Sequence, residues 1–163
     1  MPVSVVEQIA LVIKSRLDAM IDNAINYTID VLEVVRPTRF GDFTPKDRQI
    51  VLVQGPQEMV AELSHPGNPP AQAFRQVFQV RCHVMGSERS TETIDELLNQ
   101  FQSDIVKAIT AAGTTWHTFG GLSIDAQFMS VEYVSADGGI DGVNCPLAVT
   151  YRTDEDDLTQ VRG

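Results

Sequence analysis

The strongest constraint on the fold is the alternation of residue character along residues 74–85. One set of alternate positions is mostly apolar: Phe74, Gln76, Phe78, Val80, Cys82 and Val84. The intervening set is mostly polar: Arg75, Val77, Gln79, Arg81, His83 and Met85. Because successive side chains of a strand point to opposite faces, this pattern predicts a strand in an antiparallel sheet with one buried face and one face in contact with water.

Two amphipathic helices are predicted to pack against that sheet. The first follows Ser4 and Glu7, which have capping-box spacing. Its apolar positions recur every three or four residues: Val6, Ile9, Ile13, Leu17, Met20, Ile21 and Ala24. The second is predicted from about Thr91 to Ala112, with Gly113 as its C-terminal cap. Its core positions are Ile94, Leu97, Leu98, Phe101, Ile105, Ala108, Ile109 and Ala112.

Further strands are predicted on both sides of the second helix. Before it, the expected strands cover residues 28–36, 50–53 and 59–64, with a turn at Gly55-Pro56. After it, residues 122–134 form a strand whose phase change indicates a bulge, and 145–152 form the last strand. A turn is expected at 137–142. Strands joined mainly by hairpins predict an α+β fold, a mainly antiparallel sheet flanked by two helices, in a single domain 1–163.

The charge balance excludes several classes of function. The 163 residues carry a net charge of −10, which argues against a DNA-binding face or docking on an anionic membrane. No apolar run approaches the roughly 20 residues that span a bilayer, and the amino terminus does not resemble a signal peptide. Two cysteines are too few for a disulfide framework. We expect a small, acidic domain made in the cytosol.

No pattern of residues predicts catalysis, a cofactor or a metal site. The phosphate-binding, zinc-protease and nucleophile-elbow motifs are absent from the sequence. Cys82 and His83 are adjacent, so on a strand they point to opposite faces and cannot easily share a metal. The apolar neighbours of Cys82 favour a buried structural thiol over a nucleophile. The three histidines, His65, His83 and His117, lie in different elements. We expect no enzymatic activity.

The most unusual local feature is the run Asp154-Glu155-Asp156-Asp157. Three interpretations stay open: a solvated tail over 153–163, which composition favours, a divalent-cation site, or an acidic contact surface. For the third, the counterpart would be a basic cluster on a neighbouring copy of the chain, since unlike surfaces of identical subunits build rings. That cluster is Arg36, Arg39, Lys46 and Arg48.

The order of these segments resembles the tail terminator, or tail completion, proteins of long-tailed bacteriophages. An amino-terminal helix runs into a strand that ends Val34-Val35-Arg36-Pro37-Thr38-Arg39, and the loop Pro66-Gly67-Asn68-Pro69-Pro70 precedes a long strand. The helix from Ile94 to Ile109 leads to Trp116. The most specific piece is the closing one, Asp137-Gly138-Gly139-Ile140 followed by Leu147-Ala148-Val149-Thr150-Tyr151-Arg152-Thr153 and the acidic run.

The resemblance implies a structural virion protein. Such proteins form a ring, usually a hexamer, on the head-proximal end of the tail tube, stop its growth and present a surface to the head connector. The implied partners are further copies of the chain, the tail tube protein and the head–tail connector, with DNA passing through the lumen without specific binding. The implied location is the head-proximal end of the virion tail, after synthesis in the host cytoplasm, with no membrane contact.

The resemblance carries over no catalytic residue, only candidate interface segments: loops 37–48 and 64–72, turn 135–144 and tail 153–163. The candidate interface residues within them or beside them are Arg36, Arg39, Lys46, Arg48, His65, Asn68, Asp137, Asp141, Arg152, Asp154, Asp156 and Asp157.

Rival functions remain open at this stage. A head-completion or neck adaptor of the same virus would share size and charge. A small hydrolase would need converging polar groups in a pocket, and a small-ligand module would be expected to carry more aromatic residues than 7%.

Overall fold

The fold comprises two helices and one sheet, seen in a computed structural model that describes residues 3–37, 44–64, 71–85, 93–136, 140–154 and 157–161. The helices are α1 (Val5–Asp18) and α2 (Ile94–Ile109). The strands are β1 (Glu33–Val35), β2 (Gln49–Met59), β3 (Ala71–Met85), β4 (Asp125–Phe128), β5 (Glu132–Ala136), β6 (Ile140–Asp154) and β7 (Asp157–Val161). Two short 3₁₀ helices cover Ala61–Leu63 and Gly113–Thr118.

The sheet is centred on β3 and β6, which pair antiparallel from Ala71 opposite Asp154 to Met85 opposite Ile140. The strand order is β1-β2-β3-β6-β4. β1 runs parallel to β2, and the other pairings between described strands are antiparallel; Ile21 and Val31 form an isolated parallel bridge outside the strands. Since β3 occupies one edge of β6 along its whole length, β5, β4 and β7 share the other edge in succession. The predicted α+β class, with a mainly antiparallel sheet, is confirmed.

Both helices lie on the same face of the sheet and enclose one core. Phe78, Val80 and Cys82 are fully buried there, as the alternation in β3 predicts. They share the core with Ile9 and Ile13 of α1 and with the apolar stripe of α2. Among the described residues, neither α1 nor α2 packs on the opposite face of the sheet, where Arg152 contacts the Leu63 carbonyl of a 3₁₀ helix. The side chains that alternate outward from β2, β3 and β6 therefore form what we call the uncovered face.

At the amino terminus of each helix, a polar side chain caps the backbone. The backbone N–H of Glu7 donates to Ser4 Oγ at 3.2 Å, and Thr93 with Glu96 forms a complete capping box before α2. The carboxyl end of α2 was predicted incorrectly. The helix ends at Ile109, and Gly113 begins a 3₁₀ helix with φ of +79° instead of capping α2.

Three strand predictions before α2 need correction. Gly55-Pro56 is not a turn: β2 passes through it with a bulge between Gln54 and Gln57. Gln76 compensates for the lost pairing, since its Nε2 donates to the Gly55 carbonyl at 2.8 Å. Residues 61–63 form a 3₁₀ helix instead of a strand, and of 28–36 only Glu33–Val35 is a strand.

The strand predicted at 122–134 is divided into β4 and β5 by the expected bulge. Phe128 pairs with Leu147 and Glu132 with Asn144, so three residues on one strand oppose two on β6. Gly142, predicted in a turn, lies within β6 opposite His83. The predicted tail is also different: Thr153 and Asp154 end β6, and residues 157–161 form β7, which pairs back on it.

Two sets of polar contacts, one buried and one part-buried, connect the helices to their surroundings. Asp104 of α2 is 5% exposed and its Oδ2 accepts the backbone N–H of Ile29 at 2.7 Å. Arg16 of α1 donates through Nη1 to the carbonyl oxygens of Ile109 at 2.8 Å and Trp116 at 2.9 Å, with its guanidinium 4.7 Å from the Phe119 ring centroid. These contacts fix the 19–32 segment on α2 and join α1 to the end of α2.

Candidate functional site

The described cations of the predicted basic cluster form ion pairs with carboxylates of the same chain. Arg36 makes a bidentate pair with Glu7 at 2.6 and 2.7 Å. Arg48 contacts Asp30 at 3.3 Å and Asp47 at 3.2 Å, and Lys46 lies 3.4 Å from Glu33. Arg39 lies outside the described residues. Each of the three described cations therefore has a carboxylate partner within the chain.

The Arg36–Glu7 pair also changes the acidity of Glu7. The hydrogen bonds from Arg36 lower the pKa of Glu7, and the charge of Arg36 acts in the same direction, against a smaller opposing effect of burial. Because Arg36 follows β1 and Glu7 lies in the first turn of α1, this pair joins the helix to the edge of the sheet.

The other candidate residues are dispersed over the molecule. Asp141 lies near the start of β6 in a shallow cleft beside α2. Arg152 lies near the other end of β6 and donates through Nε to the Leu63 carbonyl at 2.9 Å. Asp154 and Asp157 are brought opposite each other where β6 pairs with β7. His65, Asn68, Asp137 and Asp156 lie outside the described residues.

A polar centre that the sequence analysis did not single out lies on the uncovered face. Arg81 of β3 stands between Val51 of β2 and Asn144 of β6 in the register. Asn144 is 5% exposed and donates through Nδ2 to Gln79 Oε1. Within the described residues, buried atoms Asn144 Oδ1 and Arg81 Nε have no hydrogen-bond partner. We call this set the Arg81–Asn144 centre.

His83 lies beside the Arg81–Asn144 centre, and the charge of Arg81 affects the pKa of its imidazole. The imidazole is 7% exposed, and burial lowers its pKa, assisted by the positive charge of Arg81. Gly142 lies opposite, where a Cβ would come within 2.9 Å of the Cys82 carbonyl oxygen and 3.0 Å of His83 Cδ2. Glycine is therefore required here by the close approach of the ring.

A mainly apolar cleft of about 380 Å³ lies further along the same face. Its apolar lining includes Val77, Met129 and Ala148. Met129, in the bulge between β4 and β5, is 47% exposed. The rim carries the ion pair between Arg75 and Glu58 at 2.8 Å. An apolar cleft with a polar rim on an uncovered sheet face is typical of a protein contact surface.

Both cysteines lie in the packed core. Cys82 and Cys145 are both buried, which confirms the structural interpretation of Cys82. Burial raises the pKa of the Cys145 thiol to about 12 and that of Cys82 well above its ordinary value. Because the thiolate is the nucleophilic form, neither thiol is activated. In the part of the chain that the structure describes, His, Cys, Asp and Glu form no group of three or more suited to a metal ion.

The signal for the Arg81–Asn144 centre was present in the sequence but was not specific. Arg81 appears on the polar face of the alternating strand, as Arg75 does. Only the register shows that Arg75 has a carboxylate partner on β2 whereas Arg81 faces Val51.

Comparison with known proteins adds no family assignment. No protein-family model matches the chain, and no curated protein matches it significantly. Among the described residues, no helix combines the length and apolar character needed to cross a membrane.

Proposed function

We propose that this chain is a structural virion protein of the tail-terminator type. Copies of it form a ring, hexameric by resemblance, on the head-proximal end of the tail tube. The ring ends tube growth and offers the surface to which the head connector attaches. The order of sequence segments motivates this proposal, and the α+β fold is compatible with it.

The observation that carries the proposal is the uncovered face. It runs along β3 and β6, the two 15-residue strands, and among the described residues neither α1 nor α2 packs on it, although Val51 and Ala73 on this face are 0% exposed. Its apolar cleft, with the Arg75–Glu58 ion pair at the rim, is the kind of surface that a protein partner covers. A chain that works by assembling with copies of itself and with a tube needs such a face.

The charge supports the same role. A net charge of −10 gives the wall of a ring a repulsive potential toward nucleic acid, so DNA passes without adhering. The proposal therefore includes self-association, contact with tube and connector proteins, and no specific DNA contact. It includes no catalytic step.

The test is to disrupt the gene in its phage and measure tail lengths by electron microscopy. Tails of excessive and variable length, detached from filled heads, are expected. Tails of normal length beside headless or leaking particles would assign the chain to head completion or the neck instead. Normal infectious virions would refute a structural role and make a hydrolase the first hypothesis to examine.

A pair of variants then locates the function on the molecule. In complementation of the disrupted phage, Met129→Lys on the uncovered face is expected to abolish length control. Leu11→Lys is the matched control, because Leu11 is 50% exposed on α1 and Met129 is 47% exposed. Equal complementation by both variants would show that the uncovered face is not the working surface.

A further inference from the structure

The bulge in β2 places two glutamines on the same side of the sheet. In a regular strand, residues three positions apart point to opposite faces. The register of β2 on β3 shifts between Gln54 and Gln57, so Gln54 lies opposite Phe78 and Gln57 lies opposite Gln76. Because directly opposed residues of an antiparallel pair share a face, both glutamines lie on the face that α1 and α2 cover. Bulges that redirect a side chain in this way are frequent beside functional sites.

Hydrogen bonds fix both side-chain amides through their nitrogen atoms. Gln54 Nε2 donates to Gln76 Oε1 at 3.2 Å, and Gln76 is held in turn because its Nε2 donates to the Gly55 carbonyl at 2.8 Å. Gln57 donates through Nε2 to the hydroxyl of Tyr151. Both glutamines are exposed, and no described residue donates to either Oε1. Two positioned amide oxygens are therefore accessible to a hydrogen-bond donor from solution.

The two amides line a cleft of about 340 Å³ beside the amino-terminal end of α1. We call it the glutamine cleft, and its defining residues are Ser4, Glu7, Gln54, Gln57, Phe74 and Tyr151. The half-buried ring of Phe74 stacks on Tyr151, with the ring centroids 5.8 Å apart. Sites for small molecules have volumes of about 300–1,000 Å³ and combine apolar walls with a few fixed polar groups. The glutamine cleft has both properties.

The charges at the cleft favour a neutral ligand. The side chain of Glu7 is 39% exposed, and its carboxylate repels an anion. Arg36 pairs with that carboxylate through two hydrogen bonds at 2.6 and 2.7 Å, so its charge is already neutralised and a second cation gains little there. The remaining polar groups of the cleft are amides and hydroxyls.

These neutral groups match the chemistry of a sugar ring. The amide oxygens of Gln54 and Gln57 accept hydroxyl protons, and the Ser4 hydroxyl, whose oxygen accepts the Glu7 N–H at 3.2 Å, has a proton to donate. Phe74 provides an aromatic surface for the C–H face of such a ring. A purely apolar ligand would instead cover the two amide oxygens without supplying donors, which costs free energy.

We propose that the glutamine cleft binds a neutral saccharide. Gln54 and Gln57 accept its hydroxyl groups, and Phe74 packs against its ring. Tyr151 is a positioning residue, because its hydroxyl holds Gln57 and its ring supports Phe74. The cleft lies on the helix-covered side of the sheet, so this binding is independent of the uncovered face and of the proposed ring function.

The test is a titration of the ¹⁵N-labelled full chain followed by two-dimensional NMR. The probes are D-glucose and D-galactose, compared with the disaccharides maltose and lactose. Saturable shifts are expected in the side-chain NH₂ signals of Gln54 and Gln57 and in the backbone signals of Ser4 to Glu7. Saturation by either size of sugar supports the proposal, and tighter binding of the disaccharides assigns the ligand to a glycan chain instead of a free sugar.

Matched variants locate the binding. Gln54→Ala should weaken it about fivefold, as expected for the loss of one neutral hydrogen bond. The control is Gln127→Ala, an exposed glutamine outside the glutamine cleft that should bind like the parent. Tyr151→Phe keeps the ring but removes the hydroxyl, so it should shift the Gln57 side-chain signal in the free protein as well as weaken binding. Gln57→Ala repeats the test if Gln54→Ala does not fold.

Three results would overturn the proposal. One is the absence of saturable shifts with all four sugars, and another is shifts confined to residues outside the glutamine cleft. The third is saturation of the same signals by n-butylammonium or acetate at lower concentration than by any sugar, because it would show a charged ligand. Equal weakening by Gln54→Ala and Gln127→Ala likewise contradicts binding at this cleft.

Discussion

Replacing Asp104 by alanine tests the contact on which the 19–32 segment depends. The carboxylate is buried in α2, 75 residues away from its donor in sequence, and accepts the Ile29 N–H at 2.7 Å. A hydrogen bond to a charged group is worth about 1.5–3 kcal/mol, and the substitution removes the acceptor of the N–H of Ile29, a residue that is 1% exposed. Alanine has a higher helix propensity than aspartate, which offsets about 0.5 kcal/mol of this loss. We expect a net loss of about 2 kcal/mol in the free energy of unfolding.

The assay is urea unfolding followed by far-ultraviolet circular dichroism and by the fluorescence of the single tryptophan, Trp116. For a chain of this size about 2 kcal/mol corresponds to a fall of about 4–8 °C in Tm. Asp104→Asn keeps an acceptor oxygen without the charge, so it should lose only about 1 kcal/mol. The control is Ser103→Ala, an exposed position on the same helix, expected within about 0.5 kcal/mol of the parent.

The result that refutes this reasoning is an Asp104→Ala protein as stable as the Ser103→Ala control. Equal losses for Asp104→Ala and Asp104→Asn would show instead that the charge, and not the accepting oxygen, provides the stability.

Three further predictions concern other buried contacts. Gly142→Ala should lower unfolding stability by about 1–3 kcal/mol, since its Cβ would crowd the Cys82 carbonyl and the His83 ring; chemical denaturation measures this, and an unchanged midpoint contradicts it. The pKa of His83 is lowered by burial and by Arg81, so the unfolded chain takes up the proton first. The contribution of neutral His83 to the free energy of unfolding should be fully present above about pH 6.5. It should decline as the pH falls toward the folded pKa, by up to about 1.4 kcal/mol per pH unit. His83→Gln should flatten this decline in denaturation series at several pH values, and a parallel decline would exclude His83 as its origin. Arg16→Met keeps much of the side-chain length but removes the guanidinium donor of the Ile109 carbonyl, while the Trp116 carbonyl keeps the Phe119 N–H at 3.4 Å. A loss of about 1 kcal/mol is therefore expected in thermal unfolding, whereas no shift in Tm would show that water replaces the guanidinium.

The sequence alone determined those parts of the fold in which local pattern and burial agree. The alternation in β3 and the stripes of α1 and α2 each specify which side faces the core, so the elements and their buried faces could be predicted. The bulge between β4 and β5 was equally visible, because a bulge shifts the phase of alternation by one residue. The amino-terminal caps follow from side chains three residues apart.

Only the tertiary structure decided which local signals were overridden. Gly55-Pro56 has the composition of a turn, but β2 continues through it because Gln76 supplies the hydrogen bond that the bulge leaves unmade. Gly142 has the composition of a turn as well, yet it serves a close approach to His83 from the neighbouring strand. Both compensations come from residues distant in sequence.

Sequence and tertiary structure also contributed differently to what is known of the candidate interface residues. Charge segregation in the sequence identified an acidic run and a basic cluster, but it could not show that Arg36 and Arg48 are paired within the chain, whereas no ion pair among the described residues includes Arg81. Whether a charge is available to a partner depends on which side chains stand opposite it, and strand register sets that. The sequence therefore determined the elements and the sign of their charges, and the tertiary structure decided which of the described charges are paired within the chain.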